Sequence, residues 1–147
     1  MAGDQDEASD AHEIGLDEVL GAIAASSVQI LTLYIPNKDR DGNRLDDQEV
    51  WVRQAADLLA RIGGGVTVQP PCRGGWLNPE TNDIVWEEPI LVYTYVKPKN
   101  FADLVPELRG FPHRLGRETN QGEVACEFDR TFFRIVEFDC TDEGQSR

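Results

Sequence analysis

Apolar residues repeat at helical spacing in three segments of the chain and at strand spacing between them. The helical segments are 16–23, 46–62 and 100–115, and each places its apolar side chains on one face. Segments rich in β-branched and aromatic residues are predicted strands, at 28–35, 66–68, 84–86, 90–96, 124–128 and 131–138. The strand at 66–68 is expected to continue past two prolines towards Trp76 and to form one long hairpin with 84–96.

Polar residues and glycines mark where these segments begin and end. Asp46 followed by Glu49 has the spacing of a capping box, which predicts the start of the second helix. The glycines at 63–65 are expected to end that helix. Asn100 is predicted to cap the third helix, which its two internal prolines divide or kink without moving the apolar face.

Counted along the chain, the elements are helix, strand, helix, strand, strand, helix, strand, strand. Without the first helix and the last strand, this order is βαββαβ, which is typical of the ferredoxin-like fold. We therefore predict an α+β protein with a ferredoxin-like antiparallel sheet, two helices on one face, an extra N-terminal helix and an extra C-terminal strand. The central strands, 28–35 and 90–96, are apolar on both faces. The second face thus needs a cover, either the N-terminal helix or a second copy of the chain.

The 147 residues are enough for one compact domain, which we place at 14–138. Residues 1–13 are acidic and have no periodic apolar pattern, so we predict a disordered segment there and a flexible tail at 139–147. The ends carry most of the net charge of −13, since residues 1–37 hold seven acidic residues and no basic one. The nearly balanced core and its scattered basic residues argue against a nucleic-acid mimic and against nucleic-acid binding.

No apolar run reaches the roughly 18 residues of a membrane helix, and the N-terminus lacks the basic start and apolar core of a signal peptide. We therefore expect a cytoplasmic protein without a membrane partner. The three cysteines are far apart and show no C-x-x-C spacing, so they predict neither a disulfide framework nor a metal site. No cofactor is predicted, because the glycines at 63–65 close a helix and lack the lysine of a phosphate-binding loop.

The densest cluster of polar groups is the stretch 114–124, where a predicted helix gives way to a strand. A histidine beside carboxylates can exchange protons near neutral pH, and an arginine can hold a carboxylate or phosphate through its forked donors. The alternative is a structural turn with a capped helix end and surface ion pairs. The candidate catalytic residues are His113, Arg117, Glu118 and Glu123, and the candidate ligand-binding residues are Asn120 and Gln121.

A second candidate site lies at 70–76. Its paired glycines allow a close approach to a ligand, Arg73 would supply a charge, and Trp76 would supply a stacking surface. The alternative interpretation is a bulge in the long hairpin.

Residues 37–48 resemble the opening of an EF-hand calcium loop, with oxygen groups at alternate positions and Gly42 at the sharp turn. The twelfth position holds Gln48 where a bidentate glutamate is needed. The loop also carries three basic residues that would repel a cation, Lys38, Arg40 and Arg44. A polar connection built on Asp-Gly turn chemistry is the alternative.

Two functions from different classes are compatible with these features. The first is a small binding or interaction module that forms a homodimer through its sheet. The second is a small cofactor-independent enzyme acting on an anionic or polar molecule, with His113 or Glu123 as acid or base and Arg117 and Arg73 holding the anion. The sequence names neither a substrate nor a partner.

Overall fold

The computed structural model describes residues 15–23 and 28–140. The segment 1–13, predicted to be disordered, and residues 141–147 of the predicted tail lie outside the described residues. The helices are α1 (Leu16–Leu20), α2 (Gln48–Gly63), α3 (Pro98–Asp103) and α4 (Val105–Glu118). The strands are β1 (Ile30–Ile35), β2 (Thr67–Val68), β3 (Gly74–Asn78), β4 (Asp83–Glu87), β5 (Ile90–Tyr95), β6 (Val124–Phe128) and β7 (Thr131–Ile135).

Five of the strands form an antiparallel sheet in the order β2-β5-β1-β6-β7. β5 and β1 pair along their whole length, with Leu33 opposite Val92. β6 and β7 form a hairpin that turns at Asp129 and Arg130, both with positive φ, as the tightest hairpin turns require. The predicted α+β class, with an antiparallel sheet and several helices, is confirmed.

The strands from β2 to β5 form one long hairpin. At its base Thr67 pairs with Tyr93, and towards its tip Gly75 pairs with Trp86. The pairing register changes by one residue between these two points, as it does at a β-bulge. The predicted long hairpin, extended or bulged through the two prolines, agrees with this pairing, although its first arm is not one continuous strand: it breaks between Val68 and Gly74. At the tip, β3 and β4 pair only with each other and form a separate two-stranded sheet, here called the arm.

The hydrophobic core lies between the sheet and helices α2 and α4. The apolar face of α2 supplies the fully buried Leu59 and Ile62, and α4 supplies Phe111 and Leu115. These pack against the alternate residues of β1 and β5 that face the helices, among them Ile35. Each such side chain contributes about 1.5–3 kcal/mol through its burial. The predicted apolar faces of the second and third helical segments are confirmed.

The predicted helix caps are wrong. α2 begins after Asp47, and no side chain caps it. The Asp47 carboxylate instead accepts a hydrogen bond from the buried Trp51 indole N–H at 3.1 Å, so core packing decides its orientation. Asn100 lies inside α3, which starts at Pro98 and also has no side-chain cap. Proline at the first helical turn explains the earlier start, because it needs no hydrogen-bond partner for its nitrogen.

The N-terminal helix does not cover the second face of the sheet. α1 has only five residues, and its apolar side chains Leu16, Val19 and Leu20 are all exposed. One of the two covers expected from the sequence is therefore excluded for the described residues. No helix among these residues is long and apolar enough to cross a membrane.

Candidate functional site

The polar groups at the end of α4 contact several different parts of the chain. His113 is buried, and its Nδ1 accepts a hydrogen bond from the Asp139 backbone N–H at 2.9 Å. Arg117 donates to the Asp139 carbonyl oxygen, and Arg109 donates twice to the Asp139 carboxylate at 3.2 Å. The hydrogen bond from Arg109, with the charges of Arg109 and Arg117, outweighs partial desolvation and holds the Asp139 pKa below its ordinary value of 3.8. His113 and Arg117 thus anchor the first residue of the predicted flexible tail.

The two glutamates of this stretch form separate ion pairs. Glu118 lies 3.7 Å from Arg114, one turn earlier on the same helix. Glu123 accepts two hydrogen bonds from Arg134 of β7, at 2.6 and 3.2 Å. The hydrogen bonds that Arg134 donates to Glu123 raise the pKa of the guanidinium. The catalytic roles of His113 and Glu123 stay predictions, and the structure gives the two residues different partners.

Asn120 and Gln121 contact the loop between β1 and α2. The Asn120 side-chain amide donates a hydrogen bond to the Asp41 carboxylate at 3.0 Å. The backbone carbonyl of Asn120 accepts a hydrogen bond from the Arg40 backbone N–H at 2.9 Å. Gln121 donates to the Lys38 carbonyl at 2.9 Å. The structure therefore uses both side chains to hold the loop at 37–45.

The same loop closes around Asp39. Its carboxylate accepts hydrogen bonds from the backbone N–H groups of Asp41 and Asn43, both at 2.9 Å. Partial desolvation raises the Asp39 pKa, but these bonds outweigh it and lower the pKa overall. The described residues contain no group of three metal-ligating side chains. Internal hydrogen bonds account for the conformation of the loop, as in a polar connection, and the calcium alternative is untested.

On its other side, the loop forms one wall of a recess of about 310 Å³, here called the polar recess. The opposite wall comes from the base of the arm. Arg73, predicted to bind a ligand, lines the recess with its guanidinium 4.9 Å from the centre of the Trp86 ring. Trp76 occupies an alternate position on β3, so it lies on the opposite face of the arm. The lining residues are Asn37, Lys38, Arg44, Arg73, Trp86, Glu87 and Glu88.

Most of these lining residues were missed in the sequence. Lys38 and Arg44 were noted only as charges unfavourable for calcium. Asn37 and Glu88 meet across 51 positions, through the Glu88 N–H and the Asn37 Oδ1 at 2.9 Å. One signal was present: two basic residues of a strand-to-helix loop, together with Arg73, form a set that cannot serve a cation but suits an anion.

A second surface, with few charged groups, is the face of the sheet opposite the helices, here called the open face. Its side chains include Tyr34, Tyr93, Tyr95 and Phe132, and Tyr95 and Phe132 are about half exposed. Among the strand residues, the charged members are Glu127 and Arg134. Glu127 accepts a hydrogen bond from the Tyr34 hydroxyl, and Arg134 pairs with Glu123. Burial and the bond to Glu127 raise the pKa of Tyr34 to about 12.

The arm adds further exposed apolar groups. Trp76, Leu77, Ile84 and Trp86 are each about half exposed. An isolated two-stranded hairpin is at best marginally stable in water. Because successive strand residues point to opposite sides, the arm presents exposed apolar side chains on both of its faces.

An apolar cavity of about 360 Å³ lies between α4 and strands β1, β6 and β7. Leu108, Cys126 and Phe133 contribute to its walls, and burial raises the pKa of the Cys126 thiol. Besides Cys126, the cavity is lined by two residues with ionisable side chains, Arg109 and His113. Both of them contact Asp139. The cavity thus offers hydrophobic contact, while its polar groups are engaged with the C-terminal segment.

Comparison with solved structures supports a shared fold. A phage SAM lyase in complex with S-methyl-5'-thioadenosine is similar with a TM-score of 0.53 and 12% identity, covering 77% of this chain and 92% of that one. A phage SAM lyase in the apo state is similar with a TM-score of 0.50 and 12% identity, covering 78% of this chain and 97% of that one. The divalent cation tolerance protein CutA1 from Thermus thermophilus gives 0.41 and 11%, covering 82% and 93%. The sequence matches no known protein family and no curated protein. The likeness to the lyase shows the fold alone.

Proposed function

We propose that this protein is a small binding module that self-associates as a homodimer on a ferredoxin-like scaffold. The strands β1, β2, β5 and β6 with helices α2 and α4 follow the βαββαβ order, and β7 is the extra strand. The observation that carries the proposal is the open face, an aromatic surface whose two strand charges are both already paired within the chain.

A second copy is the partner that fits this surface. Interface centres are poor in charged residues and rich in tyrosine and tryptophan, and both the open face and the arm have this composition. Because Glu127 and Arg134 have partners within their own chain, the open face requires no complementary charge from another protein. An identical surface meets that condition.

The required area explains why the arm should take part. From standard strand spacing, the five strands, which have two to six residues each, project an area of roughly 400 Å². A stable interface buries about 800 Å² on each partner. The open face alone is therefore too small, and the apolar side chains of the arm supply the additional contact.

Size-exclusion chromatography with light scattering tests this proposal on the full chain. We expect twice the 16.4 kDa of one chain at micromolar concentration. Tyr95→Glu and Phe132→Glu, on the open face, should each reduce the mass to that of one chain. Val50→Glu is the matched control, because Val50 is 52% exposed but lies on α2.

A wild-type mass of one chain would refute self-association, and a larger multiple would replace the dimer by another assembly. Leu77→Asp tests the arm by itself. If Leu77→Asp keeps the dimer while Tyr95→Glu breaks it, the arm is not part of the interface. Far-ultraviolet circular dichroism of each variant separates dissociation from unfolding.

The enzymatic alternative has less support. A proton-transferring pair needs to approach one substrate, whereas His113 contacts the C-terminal segment and Glu123 contacts β7. A fold shared with a lyase does not alter this comparison, because one fold hosts many functions.

A further inference from the structure

The polar recess is held open by a fixed frame. Asn37 is only 7% exposed, its Oδ1 accepts the Glu88 N–H, and its carbonyl accepts the Leu45 N–H at 2.8 Å. The Gln48 side chain donates to the carbonyls of Ile35 and Glu88, both at 3.2 Å. These bonds fix the end of β1, the start of α2 and the base of the arm relative to one another. The recess is thus built before any ligand arrives.

Several hydrogen-bond donors around the recess have no acceptor among the described residues. The Asn37 Nδ2 makes no hydrogen bond to any described residue, although the Oδ1 of the same amide does; solvent reaches this Nδ2, because every fully buried side-chain nitrogen and oxygen of the described residues has a partner. Lys38, Arg44 and Arg73 likewise form no ion pair within the described part of the chain. Three cations and the Asn37 amide therefore line one concave surface, and these donors bond to no acceptor within the described part of the chain.

Arg73 is also oriented for an anion. Its guanidinium lies over the Trp86 ring, and this contact restrains the side chain while its in-plane N–H groups stay available. Gly75 makes room for the indole, because a Cβ at that position would lie 3.0 Å from the Trp86 ring. A phosphate, with its several acceptor oxygens, matches such convergent donors.

The carboxylates of the recess indicate what the phosphate is attached to. Glu87 and Glu88 line the same space without pairing with its cations. Ionised carboxylates only accept hydrogen bonds, so they suit hydroxyl groups. The volume of about 310 Å³ is at the lower end for small-molecule sites. We propose that the polar recess binds a phosphorylated sugar, with Lys38, Arg44, Arg73 and Asn37 on the phosphate and Glu87 and Glu88 on the hydroxyls.

Isothermal titration calorimetry of the full chain tests the proposal with ribose 5-phosphate, AMP, inorganic phosphate and ribose. We expect ribose 5-phosphate to bind more tightly than inorganic phosphate, and ribose to give no heat. If AMP binds more tightly than ribose 5-phosphate, the phosphorylated sugar belongs to a nucleotide. If ribose 5-phosphate binds more tightly, the ligand is a free sugar phosphate. Absence of binding by all three phosphates at millimolar concentration would overturn the proposal.

Variants assign the two halves of the site. Arg44→Ala should weaken the affinity for ribose 5-phosphate by about tenfold or more, as expected for the loss of a charge-assisted hydrogen bond. Arg53→Ala, a charge change on the exposed surface of α2, should leave the affinity unchanged. Glu87→Gln should weaken the affinity for ribose 5-phosphate and leave the affinity for inorganic phosphate unchanged. Equal affinities of the wild type and Arg44→Ala, with both proteins folded by circular dichroism, would exclude this recess as the site.

The site consists of residues from one chain, so it does not depend on the proposed dimer. Tyr95→Glu, which should give a single chain, is expected to retain ribose 5-phosphate binding. Loss of binding in a folded Tyr95→Glu monomer would show that the recess is incomplete without a second copy.

Discussion

Gly63 is the last residue of α2 and marks the place where that helix meets strand β5. A Cβ added there would lie 1.8 Å from the Thr94 Oγ1 and 2.5 Å from the Tyr95 carbonyl oxygen. The second of these atoms belongs to the backbone of a central strand and cannot rotate away. We therefore expect Gly63→Ala to destabilise the protein although alanine is the better helix former.

The magnitude follows from three contributions. Forcing a methyl group into this contact costs about 1–3 kcal/mol. Displacing Thr94 also weakens the hydrogen bond from its hydroxyl to the Gly65 carbonyl, which contributes about 0.5–1.5 kcal/mol. Alanine offsets about 1 kcal/mol through its helix propensity. The net loss of unfolding free energy should be about 2 kcal/mol, which corresponds to a melting temperature lower by roughly 4–8 °C.

Urea unfolding followed by tryptophan fluorescence measures this difference. Gly65→Ala is the matched control: its Cβ would meet nothing within 4 Å and its φ is not positive, so its unfolding free energy should stay near that of the wild type. If Gly63→Ala were as stable as Gly65→Ala, the close approach of α2 to β5 would not constrain the fold, and the reasoning would be refuted.

Three further predictions test other parts of the structure. Leu59→Ala removes a fully buried α2 side chain, so urea unfolding should show a loss of about 2–5 kcal/mol. Asp139→Asn should lower the melting temperature at neutral pH. Because the pKa of Asp139 is lower in the folded state, the ionised carboxylate contributes its full stabilisation above about pH 3.8 and loses it as the pH falls through the folded-state pKa. The difference in melting temperature from the wild type should therefore shrink in acid. An ultraviolet titration should show a tyrosine ionising near pH 12 that disappears in Tyr34→Phe, and ionisation of all three tyrosines near pH 10 would contradict the bond to Glu127.

The elements of the fold could be read from the sequence because their apolar periodicity coincides with burial. The stripe containing Leu59 and Ile62 has helical spacing, and every residue of it that was predicted to be buried is buried. Along β5 the sequence is apolar on both faces, so it predicted a central strand but not that Val92 faces the core and Tyr93 the open face. Local patterns suffice for α2 and α4, because one side of each helix packs against the core.

Helix starts were less predictable, because a cap competes with tertiary contacts. Asp47 immediately precedes α2 and could cap it, yet its carboxylate accepts a hydrogen bond from the Trp51 indole N–H instead. The buried position of Trp51 required an acceptor for its N–H, and an unsatisfied indole in the core costs more than an uncapped turn exposed to water. A sequence pattern does not contain this comparison.

The polar stretch at 114–124 was predicted as a candidate site from its density of hydrogen-bonding groups, and much of that density serves contacts far away in sequence. Gln121 and Asn120 bond the loop at 37–45 across 83 and 79 positions. The same loop supplies Lys38 and Arg44 to the polar recess. The stretch therefore borders a candidate site without lining it: its amides hold one face of the loop, and this leaves the basic side chains on the other face available to a ligand.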